Sequence, residues 1–251
     1  MDHPGARRRP ARLTRVRRVL VIPSLDVTGG RSRVVYWPGA AAGAGSPTDR
    51  PEVIAARFVE LGARLVHLVD LDGARLGRPA NLDAVGRIAA RIAVPLQVAG
   101  GLDGPDQVRL AFAAGATRVV VPMAMADDQP TLRACLEVAG DWLAVGLDPR
   151  PERIAEFPWR RAMRPTVDAL AADLAGLGVR RLVLSHGGAE PDAALIGRLA
   201  RDLDLEVLVA GGVVDLAGIR RLREAGVAGV IVGEALLAGR IEYPAAMEAA
   251  A

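Results

Sequence analysis

Two aspartates draw attention by where they fall. Asp26 closes the apolar run Ile22-Pro-Ser-Leu, and Asp148 closes Val145-Gly-Leu. A carboxylate directly after a buried strand sits half in protein and half in water, a setting that tunes its proton affinity. Two such groups facing one substrate can divide the work of general base and general acid. The plainer use of either residue is a cap or an ion pair at a strand end. Glycines form a second constellation: Gly100-Gly101, Gly211-Gly212, and Gly233 before Glu234. Such glycines leave backbone N–H groups free beside a helix start, and those donors bind phosphate. Tight turns are the alternative.

Further candidates end other apolar runs. Asp70 and Asp72 lie in Val69-Asp-Leu-Asp-Gly-Ala74, followed by Gly77 and Asn81. No matching His or carboxylate cluster accompanies them at ligand spacing, so no metal is expected; they serve either as polar contacts to substrate or as loop anchors. Ser185 or His186 could orient a substrate hydroxyl or carbonyl. They are not expected to form a nucleophilic pair, because adjacent residues on an extended chain point apart. His67 lies inside a strand-like run and reads as structural. Cys135 falls in the helical stripe Leu132, Cys135, Leu136, Ala139 and reads as core. Every basic residue other than His is Arg; without Lys, Schiff-base catalysis is excluded.

The elements that must hold these residues are legible as alternation. Eight short aliphatic runs span Val19–Leu25, Leu65–Val69, Pro95–Ala99, Arg118–Val121, Trp142–Leu147, Arg181–Leu184, Glu206–Ala210 and Gly229–Val232. They lack polar alternation, as strands buried on both faces do. Helical stripes lie between them, such as Ile54, Phe58 and Leu61, or Leu82, Val85, Ile88, Ala89 and Ile92. Asp49 with Pro51 and Glu52, Asn81 and Asp215 are the expected caps. An internal repeat decides between an open sheet and a closed barrel. Val98-Ala-Gly-Gly101 recurs as Val209-Ala-Gly-Gly212, and Ala114-Gly115 as Ala225-Gly226, both at an interval of 111 residues. Two halves of four β/α units close into an α/β (β/α)8 TIM barrel with an internal two-fold repeat. Asp26 and Asp148, on the first and fifth strands, then face each other across the mouth. The same interval sets Pro122-Met123 against Gly233-Glu234. Pro has no N–H to donate, and Asp103 adds negative charge, so the first-half anion site reads as weakened or redesigned.

Bulk composition agrees. A chain of 251 residues with 51% hydrophobic residues suits one large domain. Only 3% are aromatic, which disfavours base-stacking nucleic-acid modules. The net charge is +3, with a cluster of arginines in residues 1–18. That segment is expected to be a solvated basic tail preceding a barrel over 19–251. No secretory signal or membrane span is expected, and the location is expected to be cytoplasmic.

The stretches Ile22-Pro-Ser-Leu-Asp26, His67-Leu-Val-Asp-Leu-Asp-Gly-Ala74 with Asn81, Gln97-Val-Ala-Gly-Gly101, Val145-Gly-Leu-Asp148, Ala210-Gly-Gly-Val213 and Ile231-Val-Gly-Glu-Ala-Leu236 together resemble the histidine-biosynthesis barrel family. The Asp-Leu-Asp-Gly-Ala run is more similar to its isomerase branch, which acts on phosphoribosylformimino-AICAR-phosphate (ProFAR), than to the cyclase branch. The resemblance implies an Amadori rearrangement of an aminoaldose phosphate to an aminoketose phosphate. It implies Asp26 as general base, Asp148 as general acid, and phosphates held by the glycine pairs and the ends of the fourth and eighth strands. Arg150 and Trp159 resemble residues of a bifunctional branch that also accepts phosphoribosylanthranilate. The chain departs from the family at Pro122-Met123 and at Leu102-Asp103. It departs again in the loop from Ser185, which stands in place of a Thr, and in the Gly/Ala-rich loop from Trp37 to Asp49. Three readings follow: the histidine-pathway isomerase, a divergent paralogue acting on another sugar phosphate, and a non-catalytic phosphate-binding or partner protein. The expected partner is a small-molecule phosphorylated substrate, with no nucleic acid or membrane partner. A monomer without organic cofactor is expected.

Overall fold

A computed structural model describes residues 19–36, 47–150, 166–203 and 205–251. The basic tail, the loop over 37–46 and Trp159 lie outside the described residues. Eight parallel strands appear where the aliphatic runs predict them: β1 (Leu20–Thr28), β2 (Val66–Asp70), β3 (Leu96–Ala99), β4 (Arg118–Val121), β5 (Leu143–Leu147), β6 (Arg181–Ser185), β7 (Glu206–Ala210) and β8 (Gly229–Val232). Each pairs with the next, and β8 pairs back onto β1 with Leu20 opposite Gly229 and Ile22 opposite Ile231. The sheet is therefore a closed (β/α)8 barrel. A two-residue antiparallel segment, Arg31–Ser32, folds back on the end of β1.

The helices that follow the strands include α1 (Pro51–Glu60), α2 (Leu71–Leu76), α3 (Leu82–Ala89), α4 (Pro105–Ala113), α5 (Gln129–Ala139), α6 (Val167–Gly176), α7 (Ala193–Asp202), α8 (Leu216–Ala225), α9 (Glu234–Leu237) and α10 (Tyr243–Ala249). Two apolar layers result from strand alternation. Outward-facing residues such as Leu25, Leu68, Val98, Val145 and Val209 pack under the helices with Ile54, Phe58, Ile88, Leu132 and Ile219. Inward-facing Ile22, Leu65, Val120, Ala144, Val183, Leu208 and Ile231 fill the lumen as a separate cluster. Cys135 is fully buried beside Met125, as its stripe predicts.

The expected caps are corrected in part. Asp215 caps α8 by accepting from Gly218 N–H at 2.7 Å. Asp49 is not a cap: Arg50 precedes α1, and Asp49 pairs with Arg31 at 2.7 Å. Asn81 stands at the start of α3, but its side chain turns back to Asp70 and Asp72. Those carboxylates attract the amide more strongly than the helix N–H groups do.

Candidate active site

The inner cluster sets which strand-end residues face the lumen. Asp26 is in phase with Ile22 and Asp148 with Ala144, four residues on in each case. Ser185 follows Val183, Ala210 follows Leu208, and Gly233 follows Ile231 at an interval of two. Residues in this register at the strand ends (Asp26, Val69, Ala99, Pro122, Asp148, Ser185) are partly or fully exposed. The residues between them, including Val27, Asp70, Val98 and Val121, are buried. At the carboxyl end of the barrel the inward register is thus carried largely by small apolar residues. Its polar groups include one carboxylate each from the opposed strands β1 and β5, with Ser185 on β6.

The two carboxylates differ in surroundings. Asp26 has a 38%-exposed side chain with Arg33 Nε 4.0 Å from its Oδ2, and Arg33 N–H donates to the Asp26 carbonyl at 2.8 Å. Burial pushes the carboxyl above its ordinary 3.8, Arg33 pulls it down, and Glu234 pushes it up. Asp148 is held by Arg150. The guanidinium Nε donates to Oδ1 at 2.9 Å and Nη2 to Oδ2 at 2.6 Å, and the Arg150 backbone N–H adds a third bond. This two-pronged contact is the strongest geometry an arginine offers a carboxylate. Arg33 is a neighbour that the sequence left unmarked; its only signal was Gly29-Gly30, which turns the chain back onto β1.

Asp70 and Asp72 occupy the two roles left open for them unequally. Asp70 points outward from β2, is 3% exposed, and accepts from the N–H groups of Gly73, Ala80 and Asn81 and from the Asn81 amide, all at 2.6–2.8 Å. That geometry is a loop anchor. Asp72 accepts from Asn81 Nδ2, Gly29 N–H, Thr28 Oγ1 and Arg75. The bonds from Asn81, Gly29 and Thr28 hold its carboxyl far below the usual range, and they tie the β1 loop to the β2 loop. Among the described residues, no three of His, Cys, Asp and Glu gather as metal ligands would.

The glycine pairs have a geometric cause. Gly100 and Gly101 have φ of 102° and 70°, and Gly211 and Gly212 have 76° and 71°, a region that favours glycine. A Cβ on Gly100 would lie 2.2 Å from the Asp70 carbonyl oxygen, and one on Gly212 would lie 2.0 Å from that of Ala189. In each half the glycines let the neighbouring strand's loop pack against them. Where Asp70 anchors that loop in the first half, His186 holds the same register in the second: Val69 pairs with Ala99 and Ser185 with Ala210. His186 is 4% exposed, and neither ring nitrogen has a hydrogen-bond partner among the described residues. Burial lowers its proton affinity. It faces the packed layer, so of the adjacent Ser185 and His186 only Ser185 reaches the lumen.

The ends of β4 and β8 differ as the repeat foretold. After β8, Gly233 leads into α9 with no side-chain cap, so first-turn N–H groups are open. Glu234 beside them is turned to Arg240 at 3.0 Å. After β4, Pro122 leads into a 3₁₀ turn over Met123–Ala126, and the proline has no N–H to offer. An open cleft of about 650 Å³ lies beside the mouth, between the β1 loop and the starts of α1 and α3, lined by Gly30, Arg31, Arg50, Glu52, Asn81 and Arg87 among others. Its arginines already hold Asp49, Glu52 and the Gly30 carbonyl, and none of the lumen carboxylates lines it.

Known sequences match this architecture. A family model described as histidine biosynthesis protein covers residues 20–242. A protein of Chloroflexus aggregans is 34% identical over 232 residues, spanning 90% of this chain and 96% of its own length. One of Moorella thermoacetica is 33% identical, spanning 93% and 99%. One of Synechococcus elongatus is 35% identical, spanning 91% and 92%. All three are named 1-(5-phosphoribosyl)-5-((5-phosphoribosylamino)methylideneamino) imidazole-4-carboxamide isomerase.

Proposed function

The chain belongs to the histidine biosynthesis barrel family, and from that premise we propose that it is an Amadori-type isomerase acting on ProFAR, with Asp26 as general base and Asp148 as general acid. The observation that supports this most is the pair of partly buried carboxylates in the inward register at the ends of the opposed strands β1 and β5. The reaction needs only proton movements. Protonation of the ribose ring oxygen opens the aminoaldose to an iminium ion. Removal of the C2 proton gives an enaminol, and return of a proton to C1 with loss of the C2 hydroxyl proton gives the aminoketose. Atoms balance without oxidant, reductant or further reactant.

The surroundings of each carboxylate suit a division of labour. Asp26, its proton affinity raised by burial, is a better base than a solvated Asp. Asp148 cannot offer a proton while Arg150 forks onto both its oxygens. A substrate anion that draws the guanidinium away would loosen that grip. Ser185 stands on the lumen side to orient a substrate hydroxyl. One phosphate would be held by the Gly211-Gly212 loop and the open N–H groups after Gly233.

A second reading has its own support. Pro122 and the 3₁₀ turn after β4 remove donors from the place where a second phosphate would sit, which favours a substrate with one phosphate. Purified enzyme assayed with ProFAR and with phosphoribosylanthranilate separates the readings. Turnover of ProFAR, cut by about 10²-fold or more in Asp26→Asn and in Asp148→Asn with the fold intact, is the expected result. No turnover of ProFAR together with retained binding of a mono-phosphate ligand would move the assignment to the divergent paralogue. The enzyme is taken as a cytoplasmic monomer, checked by sedimentation.

A further inference from the structure

The amino-terminal end of the barrel, opposite the mouth, holds a polar layer with no part in this chemistry. His67 on β2, Gln97 on β3, Arg118 on β4, Arg181 on β6 and Glu206 on β7 share one inward register. Gln97 Nε2 lies 2.9 Å from His67 Nδ1. Glu206 accepts from Arg118 Nη1 at 3.4 Å across the lumen and from Arg181 Nη2 at 2.5 Å beside it. Arg181 Nη1 donates to the Asp141 carbonyl at 2.7 Å. Two guanidiniums thus share one carboxylate, and His67, pushed down to about 3 chiefly by burial and next by Arg118, is neutral.

Two independent features remain unbalanced. The first is charge: among the described residues this layer carries two cations and one anion, and Arg118 is 7% exposed. Burial and the neighbouring Arg181 press Arg118 down to about 10, but at neutral pH it still cannot shed its proton. The second is hydrogen bonding: Arg118 Nε, Arg118 Nη2 and Arg181 Nε are buried donors without a partner. Buried donors are nearly always satisfied, and an exception calls for a bound species. The Nε–Nη2 edge is the side on which a guanidinium takes an anion in two prongs. A water would satisfy N–H groups but leave the charge excess, whereas an anion answers both. The Glu206 side chain is 30% exposed, which leaves a route in from the amino-terminal face.

We propose that the barrel floor binds a small monovalent anion of the chloride class between the Arg118 and Arg181 guanidiniums. Unlike the mouth, this site is structural: it neutralises the lumen rather than holding substrate.

Two measurements on the whole protein test it. Crystals grown with bromide in place of chloride should show an anomalous-scattering peak within hydrogen-bond reach of Arg118 Nε and Nη2. Replacing gluconate by chloride at fixed ionic strength should raise Tm by about 3 °C or more once the halide is tenfold above its Kd. In Arg118→Met, which removes the excess charge, the halide response should vanish. In Glu206→Gln, which leaves both guanidiniums unpaired, it should grow. A floor holding only water without an anomalous peak, or an Arg118→Met protein with an undiminished halide response, overturns the proposal.

Discussion

At the scale of single residues, Asp26 and Asp148 are chemically the same and differ in their neighbours. Burial raises the Asp26 carboxyl, Arg33 lowers it, and Glu234 raises it. A base works in its ionised form, so the acid limb of kcat/KM should lie above the ordinary 3.8. Arg33→Met should move that limb to higher pH and Glu234→Gln to lower pH. A limb that ignores both changes would remove Asp26 from the base role. The same shift has a stability consequence. A carboxyl raised by folding stabilises below its unfolded pKa, and that contribution is lost as pH rises through its folded pKa. Asp26→Asn should therefore melt higher than the parent at pH 7 and equally at pH 3, in calorimetric scans at both. That is the expected signature of a group kept for function at the expense of stability. The type and position of both aspartates could be read directly from the chain. The Arg33 contact could not, because it depends on how the chain turns back onto the end of β1; the Arg150 fork, only two residues from Asp148, depends on side-chain geometry.

At the scale of elements, the loops of neighbouring β/α units lock together through glycine and one anchor. Asp70 accepts four hydrogen bonds from its own loop and from Asn81. Asp70→Ala would leave buried donors unmet and should cost about 2–4 kcal/mol in urea unfolding. Gly212→Ala offers a second test against a control. At Gly226 φ is +87° and nothing lies within 4 Å of an added Cβ, so Gly226→Ala should cost only backbone strain, about 1 kcal/mol. Gly212→Ala carries a similar φ plus the 2.0 Å approach to Ala189, and should lose more stability than the control along with affinity for phosphate. Equal losses would mean that the loop gives way freely. The repeat in the sequence marked these glycines as special but suggested anion binding as the cause. Their contact with the preceding loop is a tertiary fact, since it joins residues more than twenty positions apart.

At the scale of the whole molecule, closure of β8 onto β1 puts polar side chains into a lumen that water reaches only at its ends. His67 is held neutral there, with its pKa pushed down to about 3, mainly by burial. A base lowered by folding binds its proton more readily in the unfolded chain, so stability is complete above about 6.5 and falls as pH drops towards 3. Unfolding free energy measured at pH 7.5 and 4.5 should therefore fall more for the parent than for His67→Gln. A variant that loses as much as the parent would place the acid sensitivity elsewhere. No helix among the described residues is long and apolar enough to cross a membrane, in line with helices that are apolar only on the face turned to the barrel.

The order and type of the elements, the eight-fold closure and the place of two aspartates at the ends of the first and fifth strands followed from the chain alone, because burial imposes a period on sequence and a repeat imposes a symmetry. Tertiary structure decided which strand-end residues reach the lumen, since a one-residue step reverses a side chain's face: Ser185 enters and His186 turns away. It also decided that Asp70 anchors a loop, that Arg150 grips Asp148, and that Arg118 and Arg181 share Glu206 at the floor. The two arginines are brought to Glu206 from positions distant in sequence, while the Arg150 fork, though local, rests on side-chain geometry that no sequence pattern records.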